Sequence, residues 1–130
     1  MNLFTYGSLM FHPVWSTVVA GEYASTAAHV SGYIRRKIKG ETYPAVVVGN
    51  SVETLEGRLY LDVGTEDIVR LDEFEGEFYR REEVMVTQAD GNEIKAAIYV
   101  LKNRYRYLLS DEAWDLYRFE HNELEWFLAN

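Results

Sequence analysis

Hydrophobic positions along the chain fall into short blocks with two different periods. Residues 3–6, Leu-Phe-Thr-Tyr, are β-prone and stop at Gly7, which predicts a strand running into a loop. Residues 12–20 predict a short helix, with Pro13 tolerated in its first turn. Residues 27–34 and 45–48 read as strands. Residues 55–63 alternate, with Leu55, Gly57, Leu59, Leu61 and Val63 against Glu56, Arg58, Tyr60 and Asp62, the pattern of a half-buried strand. Thr65 is positioned to cap a helix reaching about residue 74, and Glu66 and Asp67 suit its first turn. Strands over 82–87 and 93–101 flank Ala89-Asp90-Gly91-Asn92, a strong hairpin signal. Ser110 predicts the start of a last helix, in which Trp114, Tyr117, His121, Leu124 and Phe127 or Leu128 recur at helical spacing as a packing face.

About six strands and two or three short helices place the chain in the α+β class. Two consecutive βαβ crossovers are missing, which disfavours a Rossmann fold and favours a mixed, partly closed sheet with flanking helices. The 130 residues predict one domain over 1–130, with no linker or repeat, and 48% hydrophobic residues can supply its core. Cysteine is absent, which rules out thiolate metal sites and Cys nucleophiles. Thirteen basic residues against 21 acidic ones give a net charge of −8, which argues against nucleic-acid and anionic-lipid partners. The first residues lack a basic leader with a long apolar run, and no apolar stretch approaches the ~20 residues of a membrane span. A soluble cytoplasmic protein is the expectation.

His12, His29 and His121 fall in separate elements, so no metal site is expected. GxSxG, GxGxxG and the P-loop pattern are missing, and no cofactor is implied. Ser8 follows a strand as a nucleophile might, but no helix is expected directly behind it. Chemistry must then come from carboxylates, hydroxyls and backbone groups. One candidate is the segment Tyr6, Gly7, Ser8, Leu9. A positive φ at Gly7 would let successive amides converge on an anion, with the Ser8 hydroxyl as a further donor. The alternative is an ordinary turn. The other candidate is Glu75. Ile68, Leu71 and Glu75 are spaced i, i+3, i+7 and share the apolar helix face, while Asp67, Asp72 and Glu73 are expected in solvent. Gly76 sits where a left-handed cap belongs. Desolvation would raise the Glu75 pKa and make it a better base near neutral pH. The alternatives are an ion pair with Arg80, Arg81 or Arg58, or a helix that ends early. The basic run 35–39 reads as a loop or a guarded strand edge.

These two places coincide with a family pattern. Leu3-Phe4-Thr5-Tyr6-Gly7-Ser8-Leu9 resembles the N-terminal signature of the gamma-glutamylcyclotransferase-like superfamily. Leu71-Asp72-Glu73-Phe74-Glu75-Gly76, followed by Tyr79-Arg80-Arg81, resembles its second signature, and Gly40-Glu41-Thr42-Tyr43-Pro44-Ala45 a looser third, built on Tyr-Pro followed by a small residue. The order fits the small avirulence-induced-protein-like members. The resemblance implies a small mixed β-barrel with a polar cavity at one end. It implies Glu75 as general acid/base, and Tyr6, Gly7, Ser8 and Leu9 as substrate-binding residues. Tyr79 would line the cavity and Arg81 would brace the glutamate loop. A late substrate-binding tyrosine corresponds to Tyr99, Tyr105 or Tyr107. The implied substrate is a small γ-glutamyl compound whose own α-amine attacks its γ-carbonyl, releasing 5-oxoproline and an amine or amino acid, with the leaving group left open. Such ring closure needs no metal or enzyme nucleophile, only proximity and a carboxyl group that takes and returns a proton. A non-catalytic binding module of the same fold and an acidic interaction protein are the competing readings.

Overall fold

The structure is a computed structural model that describes residues 1–50 and 54–130. Its strands are β1 (Leu3–Thr5), β2 (Ser25–Val30), β3 (Tyr33–Lys37), β4 (Pro44–Val48), β5 (Leu55–Tyr60), β6 (Tyr79–Gln88) and β7 (Glu93–Leu101). Five of them close into a barrel in the order β1-β5-β2-β6-β7, and β3 and β4 form a separate two-stranded sheet. Closure comes from a parallel pairing of β1 with β7, at Leu3 and Ala97. All other barrel pairings are antiparallel. Inward positions carry the alternating apolar residues, so Phe4, Leu59, Val86 and Ile98 have no exposed surface.

Helices α1 (His12–Val18) and α2 (Thr65–Glu75) cover one side of the barrel. Trp15 of α1 stacks on Tyr60 of β5 at 3.6 Å between ring centres. Ile68 and Leu71 of α2 are buried in the same cluster. Full burial of such side chains contributes about 1.5–3 kcal/mol each.

Several elements differ from the pattern-based expectation. The single strand expected over 27–34 is two strands, β2 and β3, broken at Ser31–Gly32, where Gly32 takes φ +89°. The chain thereby leaves the barrel for the side sheet. The last helix does not start at Ser110. Ser110 N donates to the Lys37 carbonyl, and Lys37 N donates to the Glu112 carbonyl, so this segment extends the edge of β3. Helical structure begins at α3 (Leu116–Arg118), capped by the Asp115 side chain. It then passes through a π-helical turn over Phe119–Glu123 into α4 (Leu124–Ala129). That wider turn breaks the expected stripe. Phe119 is fully buried, whereas Tyr117 is 67% exposed and stacks on His121 instead.

Two details of α2 also change. Thr65 is its first residue, and Gly64 occupies the cap position without a side-chain bond. Asp67 does not face solvent. It is 3% exposed and accepts from Ala20 N, Gly21 N, the Tyr23 hydroxyl and Arg70. Burial pushes its carboxyl up, but those donors outweigh burial and hold it well below the usual carboxylate range. Asp67 thus ties the loop after α1 to the start of α2.

Candidate active site

The end of β1 runs into the segment that begins at Tyr6. A 3-10 turn over Ser8–Met10 follows at once, with Met10 N donating to the Gly7 carbonyl and Phe11 N to the Ser8 carbonyl. A helical turn does therefore begin directly behind Ser8, contrary to the expectation from sequence. Gly7 has φ −134°, so the expected positive φ is not what requires glycine there. Close approach does. A Cβ at Gly7 would lie 3.0 Å from Cγ and Cδ of Pro44, so the first signature packs directly on the third. Among the described residues no backbone carbonyl accepts from the amides of Ser8 and Leu9, and the Ser8 hydroxyl has no protein partner.

Two buried contacts hold this segment in place. The Tyr6 hydroxyl donates to the Tyr99 carbonyl at 2.7 Å, and the Tyr60 hydroxyl donates to the Leu9 carbonyl at 3.1 Å. Arg35 supplies a third. Its guanidinium donates to the Tyr6 carbonyl at 2.8 Å and lies over the Trp114 ring. Arg35 lies in β3, one edge of the two-stranded side sheet, so the strand-edge reading of the basic run holds for residues 35–37, and the Arg35 side chain fixes the signature segment. No spacing rule in the sequence signalled that contact.

Opposite this segment ends α2. Burial of Ile68 and Leu71 fixes the rotation of the helix, and Glu75 one turn later follows them inward. Gly76 at φ +78° caps the helix, with its N–H donating to the Asp72 carbonyl. Glu75 and residues 6–9 line one cavity of about 320 Å³, together with Tyr43, Pro44, Phe74, Phe78, Tyr79, Tyr99 and Phe127. The Glu75 side chain keeps some accessible surface inside this hollow, yet protein crowds it on nearly every side. That burial, and secondly the negative charge of Asp72, push its carboxyl up to about 8. Among the described residues no hydrogen bond or ion pair reaches it. The three candidate arginines are engaged elsewhere: Arg80 with Glu82, Arg81 with Asp72, and Arg58 with the Ser25 hydroxyl.

Asp72 organises the wall behind Glu75. Arg81 binds it through Nε at 2.7 Å and Nη2 at 3.2 Å, and the Tyr99 hydroxyl donates to it at 2.8 Å. Arg81 therefore braces the helix one turn before Glu75 and does not line the cavity. Of the three late tyrosines only Tyr99 lines it. Tyr105 packs edge-on against Phe78, and Tyr107 is 65% exposed. Tyr79 lines the cavity and donates to the Pro44 carbonyl at 3.4 Å. Burial first, and the proximity of Glu75 next, raise the Tyr6 and Tyr79 hydroxyls well above the usual tyrosine value. For Tyr99, burial and then the bond to Asp72 act in the same direction. All three stay neutral at physiological pH.

The sequence reading missed Tyr43, Phe74, Phe78 and Phe127 as cavity residues. Their aromatic character carried no information about which surface they would meet. Among the described residues no group of three or more His, Asp or Glu is placed to hold a metal ion, and no helix is long and apolar enough to cross a membrane.

Comparison with known proteins agrees with this architecture. The Arabidopsis thaliana protein AIG2 C is 33% identical over 105 residues, covering 79% of this chain, and this chain spans 62% of that relative's length. An AIG2-like protein D from the same plant is 27% identical and covers 98% of this chain and 84% of its own. A solution structure from Arabidopsis thaliana superposes with a TM-score of 0.75 at 25% identity, covering 98% of this chain and 77% of the other. A solved structure named gamma-glutamyl cyclotransferase shares the fold, with a TM-score of 0.65 at 18% identity over 79% of this chain and 67% of its own. The family model described as "Gamma-glutamyl cyclotransferase, AIG2-like" matches residues 3–116, the span that holds the barrel, the turn after β1 and the inward carboxyl of α2. The chain therefore belongs to the gamma-glutamyl cyclotransferase, AIG2-like family.

Proposed function

We propose that this protein is a gamma-glutamyl cyclotransferase-type enzyme with Glu75 as its general acid/base. The observation that carries the reading is a carboxyl raised to about 8 in a partly open hollow, with no hydrogen bond or ion pair from the described residues, lining the same cavity as the segment Tyr6, Gly7, Ser8, Leu9. A carboxyl with that pKa exchanges protons readily near neutral pH. The substrate's γ-glutamyl part enters folded, with its α-carboxylate toward the free amides and the Ser8 hydroxyl. Its α-amine lies by Glu75. Ionised Glu75 takes a proton from the α-ammonium. The freed amine attacks the γ-carbonyl carbon, forming the five-membered ring. Glu75 passes that proton to the departing nitrogen as the amide C–N bond breaks, and, ionised again, takes the second proton from the ring nitrogen, which becomes the lactam N–H. The products are 5-oxoproline and the amine, which carries off the second proton as its ammonium form, so both protons lost by the α-nitrogen end on the leaving nitrogen. Holding the two ends of the glutamyl chain together supplies the proximity contribution, which is large for a ring closure. Tyr79 and Tyr99, neutral and anchored, shape the walls.

The test is a panel of γ-glutamyl compounds with 5-oxoproline read by mass spectrometry, for the wild type and Glu75→Gln. Turnover by the wild type and none by a folded Glu75→Gln is expected. A normally active Glu75→Gln would remove the acid/base role, and an inert wild type that still binds these compounds would leave a binding module.

A further inference from the structure

The aromatic wall of the cavity has a second face. A second hollow of about 360 Å³ adjoins it, and Tyr43, Phe74 and Phe127 line both. Its further walls include Val14, Trp126 and Leu128, so it is built largely from α1 and α4. The exposed aromatic and aliphatic surface of this region is concentrated here: Phe74 is 41%, Trp126 57% and Leu128 42% exposed. Isolated apolar residues on a surface need no explanation, but a cluster that shares its wall with the cavity beside Glu75 marks a binding groove.

Charge sharpens the point. Among the described residues, neither hollow has a Lys, Arg or His in its lining, while Glu75 and Glu77 line the first and Glu41 lines the second. The two arginines that touch the walls from behind are committed, Arg35 to the Tyr6 carbonyl and Arg81 to Asp72. A γ-glutamyl compound brings one carboxylate of its own, on the α-carbon, and the neutral donors after β1 can serve it. A γ-glutamyl amino acid brings a second carboxylate on the leaving side. That group would lie against apolar walls and beside acidic side chains with no cation in the lining to receive it, which is unfavourable.

Resting on the cyclotransferase reading above, we infer that the second hollow is the leaving-group subsite and that the group it takes is an apolar or aromatic amine without a carboxylate. The γ-glutamyl part occupies the first hollow, the scissile amide lies near Glu75, and the amine's hydrocarbon body passes Phe127 toward Trp126. Specificity follows from two features. Aromatic surface rewards burial of an apolar body, and the absence of any cation rejects an anionic one.

A matched pair of substrates tests this: γ-glutamyl-phenethylamine and γ-glutamyl-phenylalanine, which differ by one carboxylate. The full chain is expected to release 5-oxoproline from the amine derivative with kcat/KM at least tenfold higher. Equal turnover, or preference for the phenylalanine derivative, overturns the inference while leaving the cyclotransferase reading intact. If neither these compounds nor a broader γ-glutamyl panel yields 5-oxoproline, it is the cyclotransferase reading that fails. The subsite's location is tested with γ-glutamyl-methylamine as a third substrate. Phe127→Ala should cut the preference for phenethylamine over methylamine at least fivefold, chiefly through KM. Phe127→Leu, which keeps an apolar packing volume, provides the same comparison if the alanine variant does not fold. An unchanged preference in the folded variant places the leaving group elsewhere and overturns the assignment.

Discussion

Glu75→Gln removes one ionisable proton while keeping the size and polarity of the side chain, so it isolates the energetic consequence of placing a carboxyl in the hollow. In the folded chain that carboxyl moves from the ordinary 4.5 to about 8, mainly by burial. Between those two pH values the folded state holds a proton that the unfolded state has released. Wild-type stability must then fall as pH rises through this window, because the native state binds more protons. Below the lower value both states are protonated and no penalty exists. Above the upper value the penalty is complete. At about 1.4 kcal/mol for each pH unit, its full size is at most about 5 kcal/mol, and residual hydration in the cavity reduces it toward about 2. Glutamine has no such linkage. Urea unfolding of wild type and Glu75→Gln at pH 5, 6, 7 and 8 should show the variant gaining about 1.5–3.5 kcal/mol on the wild type across that range, since part of the penalty is already present at pH 5 and part is still to come at pH 8. Stability curves that run parallel with pH would refute the reasoning, since they would mean that Glu75 ionises as a surface carboxylate does. The stabilised variant should also lack turnover, the trade expected where a destabilised group is kept for chemistry.

Three further outcomes follow from the same geometry. Asp72→Asn removes a negative charge that raises Glu75 and releases Arg81, so the acidic limb of the pH–kcat/KM profile for 5-oxoproline release should move to lower pH; an unmoved limb would contradict the coupling. Gly7→Val drives a branched side chain against Pro44 and should cost about 1–3 kcal/mol in a thermal or urea melt, with ligand binding falling more than stability; equal losses would favour a plain turn. Asp67→Ala strips the acceptor from two amides and the Tyr23 hydroxyl and should cost about 3 kcal/mol at neutral pH by urea unfolding. Because its partners depress the Asp67 carboxyl, the wild-type contribution is present above the ordinary carboxylate pKa and is lost as pH falls toward the folded value. The difference between wild type and variant should therefore shrink in acid.

Local chemistry in the chain was enough for most strands, for the Asp90-Gly91 hairpin and for the inward turn of Glu75. Alternation of period two and helical spacing of Ile68, Leu71 and Glu75 are properties of adjacent residues, and they survive folding unchanged. The break between β2 and β3 was less legible, because a glycine inside an apolar run is compatible with a bulge, a turn or a continuous strand. The start of the last helix was misplaced because Ser110 has the chemistry of a cap, while its amide is claimed by Lys37, 73 positions away. Asp67 looked solvated for a similar reason, since its donors come from the loop after α1, more than 40 residues earlier.

By itself the sequence determined that the protein is an α+β fold with a carboxyl on an apolar helix face and a glycine-bearing turn after its first strand. These are consequences of residue type and short-range spacing. Tertiary structure alone decided that barrel closure through β1 and β7 brings the turn and the carboxyl to one cavity. It also decided that Gly7 answers to Pro44 rather than to a positive φ, that Arg35 and Asp72 hold the walls, and that Tyr99 is the late tyrosine in the cavity. Each of those contacts joins residues far apart in the chain. Their energies depend on burial and proximity that exist only once the sheet has closed.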